Sequence, residues 1–224
     1  MDGDSIIKNT IAAYGRLQAY EDHGYANLIS FGADASEVSN SITFKTYYSK
    51  KDGLSLDWMG SSDKVLLSKI ADAIEICSSN KALIKVDKKV RKKCSAEQAL
   101  MIAGTASVDI GLIIPPLLLV DLKPALKPLS LFSATMSKLS GIAIVDDVEC
   151  YKVFVLLKSP PWVGTFFIGQ SDFLIRKFEN ERNLDVPKDK QSEIPDELVG
   201  SLPIHREQRA WFKGLKFKGL NTNT

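Results

Sequence analysis

The chain has 224 residues, 45% of them hydrophobic and 25% charged, with 29 basic against 27 acidic side chains and a net charge of +2. These values exclude wholesale disorder, a collagen-like repeat and a disulfide-dense miniprotein, and so small a net charge gives no reason to expect a polyanion as partner. The length allows one large domain or two small ones, but no composition shift or fixed-period repeat marks a boundary, so a single domain over 1–224 is expected.

The first predicted element is an amphipathic helix. Ile6, Ile7, Thr10, Ile11, Tyr14 and Leu17 recur at helical spacing behind Asp4 or Ser5 as N-cap. Two aromatic-rich strands follow, at Tyr25–Phe31 and Thr43–Tyr48. In the second, Phe44, Thr46 and Tyr48 point one way and Lys45 and Tyr47 the other. A turn at Lys50-Lys51-Asp52-Gly53 leads into alternating Leu54, Leu56 and Trp58. Residues 63–76 read as irregular before a strand at Ala73–Cys77, and Ala82–Lys92 reads as one strand with Ile84, Val86 and Val90 on its apolar side. Seven basic residues fall in the stretch Lys81–Lys93. They form either a solvated edge that discourages aggregation or a patch for an acidic envelope partner. Without interleaved aromatic residues, no nucleic-acid platform is expected.

Ser95-Ala96-Glu97-Gln98 is a capping box that opens a helix ending near Gly104. The apolar run Ile110–Val120 comes next, interrupted by Pro115-Pro116 and shorter than the roughly 20 residues of a membrane span. Beyond Pro124 and Pro128, strands are expected at Ile142–Val145, Glu149–Leu157, Val163–Ile168 and Phe173–Glu181. A long exposed loop should occupy 183–203, and Trp211–Lys218 should close the chain as a last strand. Consecutive strands around a helical insert predict an α+β fold, a strongly curved antiparallel sheet of about eight to eleven strands with helices on one face.

Catalytic patterns are missing. His23, in an apparent helix-to-strand connection, and His205, at the end of the polar loop, read as solvated loop histidines, and no G-x-S-x-G elbow accompanies any serine. Cys77, Cys94 and Cys150 lack metal-ligand spacing and read as thiols or as one bridge plus a spare; Asp146-Asp147 with Glu149 reads as a strand-entry turn before a cation site. There is no glycine-rich phosphate loop. The expectation is no enzyme, no metal and no cofactor.

Two prolines inside Ile113-Ile114-Pro115-Pro116-Leu117-Leu118-Leu119 exclude a mid-sheet strand. The run is either a connector plugging the core or an apolar lid over a cavity, where each buried methylene of a ligand would contribute about 0.8 kcal/mol.

Several residues in order carry a resemblance. Tyr14-x-x-Leu17-x-x-Tyr20-x-Asp22-x-Gly24 leads into a strand, and Thr43–Tyr48 precedes Leu54-x-Leu56-x-Trp58. Ile114-Pro115-x-Leu117-Leu118-Leu119 follows the capped helix. Val148-Glu149-Cys150-Tyr151-x-Val153, Thr165–Ile168 and Leu174–Lys177 complete the series. This order resembles the LolA/LolB-like superfamily of periplasmic lipoprotein carriers, specifically its uncharacterised predicted-periplasmic branch. The resemblance implies an incomplete half β-barrel closed by helices, LolA-like, whose cavity holds a lipid or lipoprotein acyl chain or another apolar small molecule. It implies ligand contacts at Phe44, Tyr48, Leu56, Trp58, Ile113, Leu117, Leu118, Val153 and Phe167, and a monomer. The family's functional arginine on an early strand has no counterpart, because no arginine lies between Arg16 and Arg91. Composition and the acidic start MDGDSIIKNT, which lacks a signal peptide, lean towards the cytosol; the resemblance instead implies a periplasmic protein taken from behind its cleavage site. An envelope interaction or sensor module with a self-filled cavity is the alternative function. The bulk of Phe44, Tyr48 and Trp58 favours that filling.

Overall fold

The computed structural model describes residues 1–32, 37–60, 71–77, 81–107, 109–119, 130–157, 162–183 and 203–219. Helix α1 spans Gly3–Arg16, starting two or three residues earlier than the apolar spacing suggests. Its N-cap is Asp2, whose carboxylate accepts the Ser5 N–H at 2.8 Å. Six strands follow: β1 Ala19–Gly32, β2 Glu37–Ser49, β3 Gly53–Gly60, β4 Ala73–Ile76, β5 Lys81–Val86 and β6 Lys89–Ser95. Then come α2 Ala96–Ala106, a 3-10 turn at Ile110–Leu112, α3 Pro115–Leu118 and a second 3-10 turn at Ser130–Ser133. Strands β7 Ala134–Val145, β8 Val148–Leu157, β9 Trp162–Gly169, β10 Ile175–Asn183 and β11 Pro203–Lys218 complete the order.

All eleven strands form one antiparallel sheet in the order β6-β5-β4-β3-β2-β1-β11-β10-β9-β8-β7. Every neighbouring pair is sequential except β1 and β11, which run side by side from Ala19 against Lys218 to Gly32 against Pro203. Two meanders are thus welded along their longest strands, and β6 and β7 are left as the two edges. Because the chain leaves one edge at β6 and re-enters at the other as β7, the segment between them has to span the sheet, and its described parts, α2, 110–119 and the turn at Ser130–Ser133, pack on one face. An open antiparallel half-barrel with helices against its concave side is the architecture that the resemblance implies.

Burial follows a two-residue alternation in β2 and β3, with Phe44, Thr46 and Tyr48, and Leu54, Leu56 and Trp58, on the inner face. Aromatic rings fill the concavity by lying over glycines of the next strand. A Cβ at Gly24 would come within 2.5 Å of the Phe44 ring, and one at Gly164 within 2.3 Å of the Phe178 ring. Phe44 meets Phe212 edge-on at 5.4 Å, and Phe166 lies 5.0 Å from Phe178.

Several expectations are corrected. Residues 82–92 are not one strand: Asp87 and Lys88 both take positive φ, 50° and 62°, and turn the chain into the β5–β6 hairpin. Val90 consequently leaves the apolar side and is 50% exposed. His23 and His205 lie within β1 and β11, not in loops. Both of those strands, with β2 and β7, extend well beyond their apolar stretches, because backbone pairing with neighbours carries polar residues into the sheet. Strand β10 starts only at Ile175, since Phe173 has a φ of 59° and belongs to the preceding turn. The loop expected at 183–203 lies, apart from its end residues, outside the described residues.

Candidate functional site

The inner face is one continuous apolar cluster running from Tyr20, Phe44 and Tyr48 through Leu56, Trp58 and Ile74 to Val153, Phe166 and Phe178. From above, α1 contributes Ile6, Ile7 and Tyr14, α2 contributes Leu100, and the proline-broken run contributes Ile113, Leu117 and Leu118. That run is built of short helical turns because Pro115 and Pro116 sit at the first positions of α3, where their missing N–H groups leave no gap. Its backbone bonds close locally: Ile110 N–H donates to Ser107 O, Leu117 and Leu118 N–H to Ile114 O, and Leu119 N–H to Pro115 O. The segment meets the sheet through buried aliphatic side chains. It packs as a lid.

Of the residues expected to touch a ligand, Phe44, Tyr48, Leu56, Trp58, Ile113, Leu117, Leu118 and Val153 all belong to this cluster, with exposures between 0% and 6%. Phe167 does not. It lies on the outer face in a small cluster with Val145 and Cys150, and the ammonium groups of Lys177 and Lys152 stand 5.0 and 5.9 Å from its ring. Phe166, one residue earlier, faces inward. The consecutive run Phe166-Phe167-Ile168 carries no polar residue to reveal its phase.

A polar node that the sequence reading placed in a loop lies under the helices. The buried Asp22 carboxylate accepts the Tyr20 hydroxyl at 2.7 Å and the Thr46 N–H at 3.1 Å. Burial pushes its pKa up to about 6 against these two hydrogen bonds, which pull it down. Tyr14 packs 5.7 Å from Tyr20, and its hydroxyl accepts the Ile175 N–H at 3.1 Å. The signal for this node was the parity of Tyr20, Asp22 and Gly24, legible only once they are assigned to a strand.

Two hollows open at the described surface beside this node. One of about 980 Å³ is lined by Lys45, Asp57, Asp72, Glu75 and Lys85. Another, of about 570 Å³, shares Lys45 and Asp57 and adds Glu21, His23 and Tyr47. The first also takes in Trp58, Met59, Ala73 and Val86, and the second Asp22 and Thr46, so each hollow mixes charged outer-face side chains with residues of the inner face. Among the described residues no group of three or more His, Cys, Asp or Glu side chains could hold a metal ion. Cys77, Cys94 and Cys150 are free thiols, and no described helix is long and apolar enough to cross a membrane.

No protein-family model matches the chain, and no curated protein matches it. Among solved structures it is similar to a LolA superfamily protein from Nitrosomonas europaea, at 10% identity and a TM-score of 0.34 over 99% of this chain and 96% of that one. It is also similar to LprF from Mycobacterium bovis, at 8% identity and a TM-score of 0.41 over 97% and 95% of the two chains. Lipoprotein LppX from Mycobacterium tuberculosis matches at 8% identity with a TM-score of 0.37, over 98% and 97%. At these values the likeness carries no argument about what this chain binds.

Proposed function

We propose that the protein is a non-catalytic periplasmic binding protein that holds an acyl chain or another apolar ligand between the concave sheet and the lid at 110–119. The observation that carries this reading is the way the lid is held. Its side chains contribute to one apolar cluster, while the backbone bonds of Ile110, Leu117, Leu118 and Leu119 close within the segment and its immediate approach. Contacts of that kind are non-directional, and a hydrocarbon chain can replace them at about 0.8 kcal/mol per methylene. The ligand would lie against Phe44, Tyr48, Leu56, Trp58 and Val153 below and Ile113, Leu117 and Leu118 above.

One observation favours the other reading, a docking or sensor module. With exposures of 0–6% these side chains already fill the face. The two readings part in native mass spectrometry of protein purified without detergent, followed by organic extraction. A discrete added mass that extracts as a fatty acid or phospholipid is expected. A bare protein mass, with no binding of an apolar fluorescent probe, overturns the carrier reading in favour of the filled module.

A further inference from the structure

Strand β7 is an edge covered at Ser137–Lys138 by the start of α1, where a Cβ on Gly3 would come within 2.7 Å of its backbone, and open at Gly141, where a Cβ would meet nothing within 4 Å. Among the described residues it pairs only with β8, and its other side ends the sheet. Its bulges lie at 134–136 and 139–141, which leaves Gly141 to Val145 as a regular stretch. The β7–β8 connection is a two-residue turn, Asp146-Asp147, with φ of 47° and 63° and Val145 opposite Val148. In such a hairpin the residues flanking the turn exchange backbone bonds, and alternate residues behind them direct N–H and C=O away from the partner strand. Those residues are Ile144 and Ile142. Both side chains are also largely exposed, 72% and 65%. Outward backbone groups, large β-branched side chains and no charge from Leu139 to Val145 coincide in one place. That combination is what sheet edges normally avoid.

The charges flanking this stretch indicate the occupant. Lys138 precedes it and Asp146 follows it. Laid antiparallel on an identical strand, with Ile142 opposite the second copy's Ile142, each Lys138 comes level with the second copy's Val145, because the bulge at 139–141 takes up one residue, and so stands one step from its Asp146. One two-fold axis satisfies both pairs, as an isologous interface requires. Asp146 already lies 3.3 Å from Lys213 of its own chain, so each would become a carboxylate between two ammonium groups. We propose that the protein dimerises by antiparallel pairing of β7 with β7 of a second copy, joining the two half-barrels into one continuous sheet. The pairing does not depend on whether the concave face is loaded.

Sedimentation equilibrium of the full chain, from low-micromolar to near-millimolar concentration, tests this. The expected species has twice the chain mass. Ile142→Lys with Ile144→Lys, both at exposed positions, should weaken association by about a hundredfold or more by setting like charges across the axis while leaving the circular dichroism unchanged. In hydrogen exchange the Ile142 and Ile144 amides should slow by about tenfold or more as the dimer forms. A chain that stays monomeric throughout overturns the proposal. So does a dimer that survives both lysines, or one in which those amides still exchange freely.

Discussion

The two edges of the sheet are finished in opposite ways. Strand β6 carries Lys89, Arg91, Lys92 and Lys93 and is exposed over most of its length, with Lys88 in the turn before it. Strand β7 shows solvent Ile142 and Ile144, and its one charge is Lys138. Among the described residues neither edge strand has a second strand beside it, so the difference lies in the side chains. A strand that approaches β6 has to bring its backbone past a row of ammonium and guanidinium groups, whereas one that approaches β7 removes apolar surface from water. The same sheet can therefore refuse partners at one end and accept one at the other.

Removing the guard tests the contrast most severely. Arg91→Ile with Lys93→Ile should give β6 an open edge as well. A chain with two accepting edges cannot close as a pair, so the double variant is expected to form concentration-dependent polymers in sedimentation velocity, where the parent gives one discrete species. Discrete behaviour in the variant would mean that the charges are not what protects β6.

At the seam between the two halves sits Asp22, beside the β1–β11 irregularity at Glu21/His23. Burial raises its pKa from 3.8 to about 6 in the fold, so the folded state binds the proton more tightly than the unfolded chain does. Its contribution to stability is complete below about pH 4 and is lost as pH rises through 6, a difference of about 3 kcal/mol. Asp22→Asn can still accept the Thr46 N–H and should remove that slope. Urea denaturation between pH 4 and pH 8 should show the variant gaining on the parent as pH rises. Parallel curves would show that the carboxyl is ionised throughout.

The smallest effect concerns the guarded edge's junction with the helical insert. Ser95 accepts the Gln98 N–H at 3.3 Å, and Gln98 accepts the Ser95 N–H at 3.4 Å. Ser95→Ala should lower stability by about 1 kcal/mol in urea denaturation, leaving association through β7 unchanged.

The parity of β2 and β3, the capping box at Ser95 and the hairpin turn at Asp146 are all legible in the sequence. Each is written within a few residues, as polar and apolar side chains in alternation or as an oxygen three residues from the N–H it accepts. The apolar run at 110–119 is legible as buried for the same reason, and its prolines exclude a strand. The β5–β6 hairpin is not, because Ile84, Val86 and Val90 keep an even spacing through Asp87-Lys88, so nothing in the alternation marks the turn. Nor is the position of Phe167, one apolar residue among three.

By itself, then, the sequence determined the order of most local elements, the α+β class and the apolar character of one face. Tertiary structure alone decided that Ala19–Gly32 pairs with Pro203–Lys218, that Asp22 is buried, and that, among the described residues, β6 and β7 are the strands at the sheet's two ends. Those features depend on contacts between residues far apart in the chain. Strand order, unlike strand character, has no short-range period to announce it.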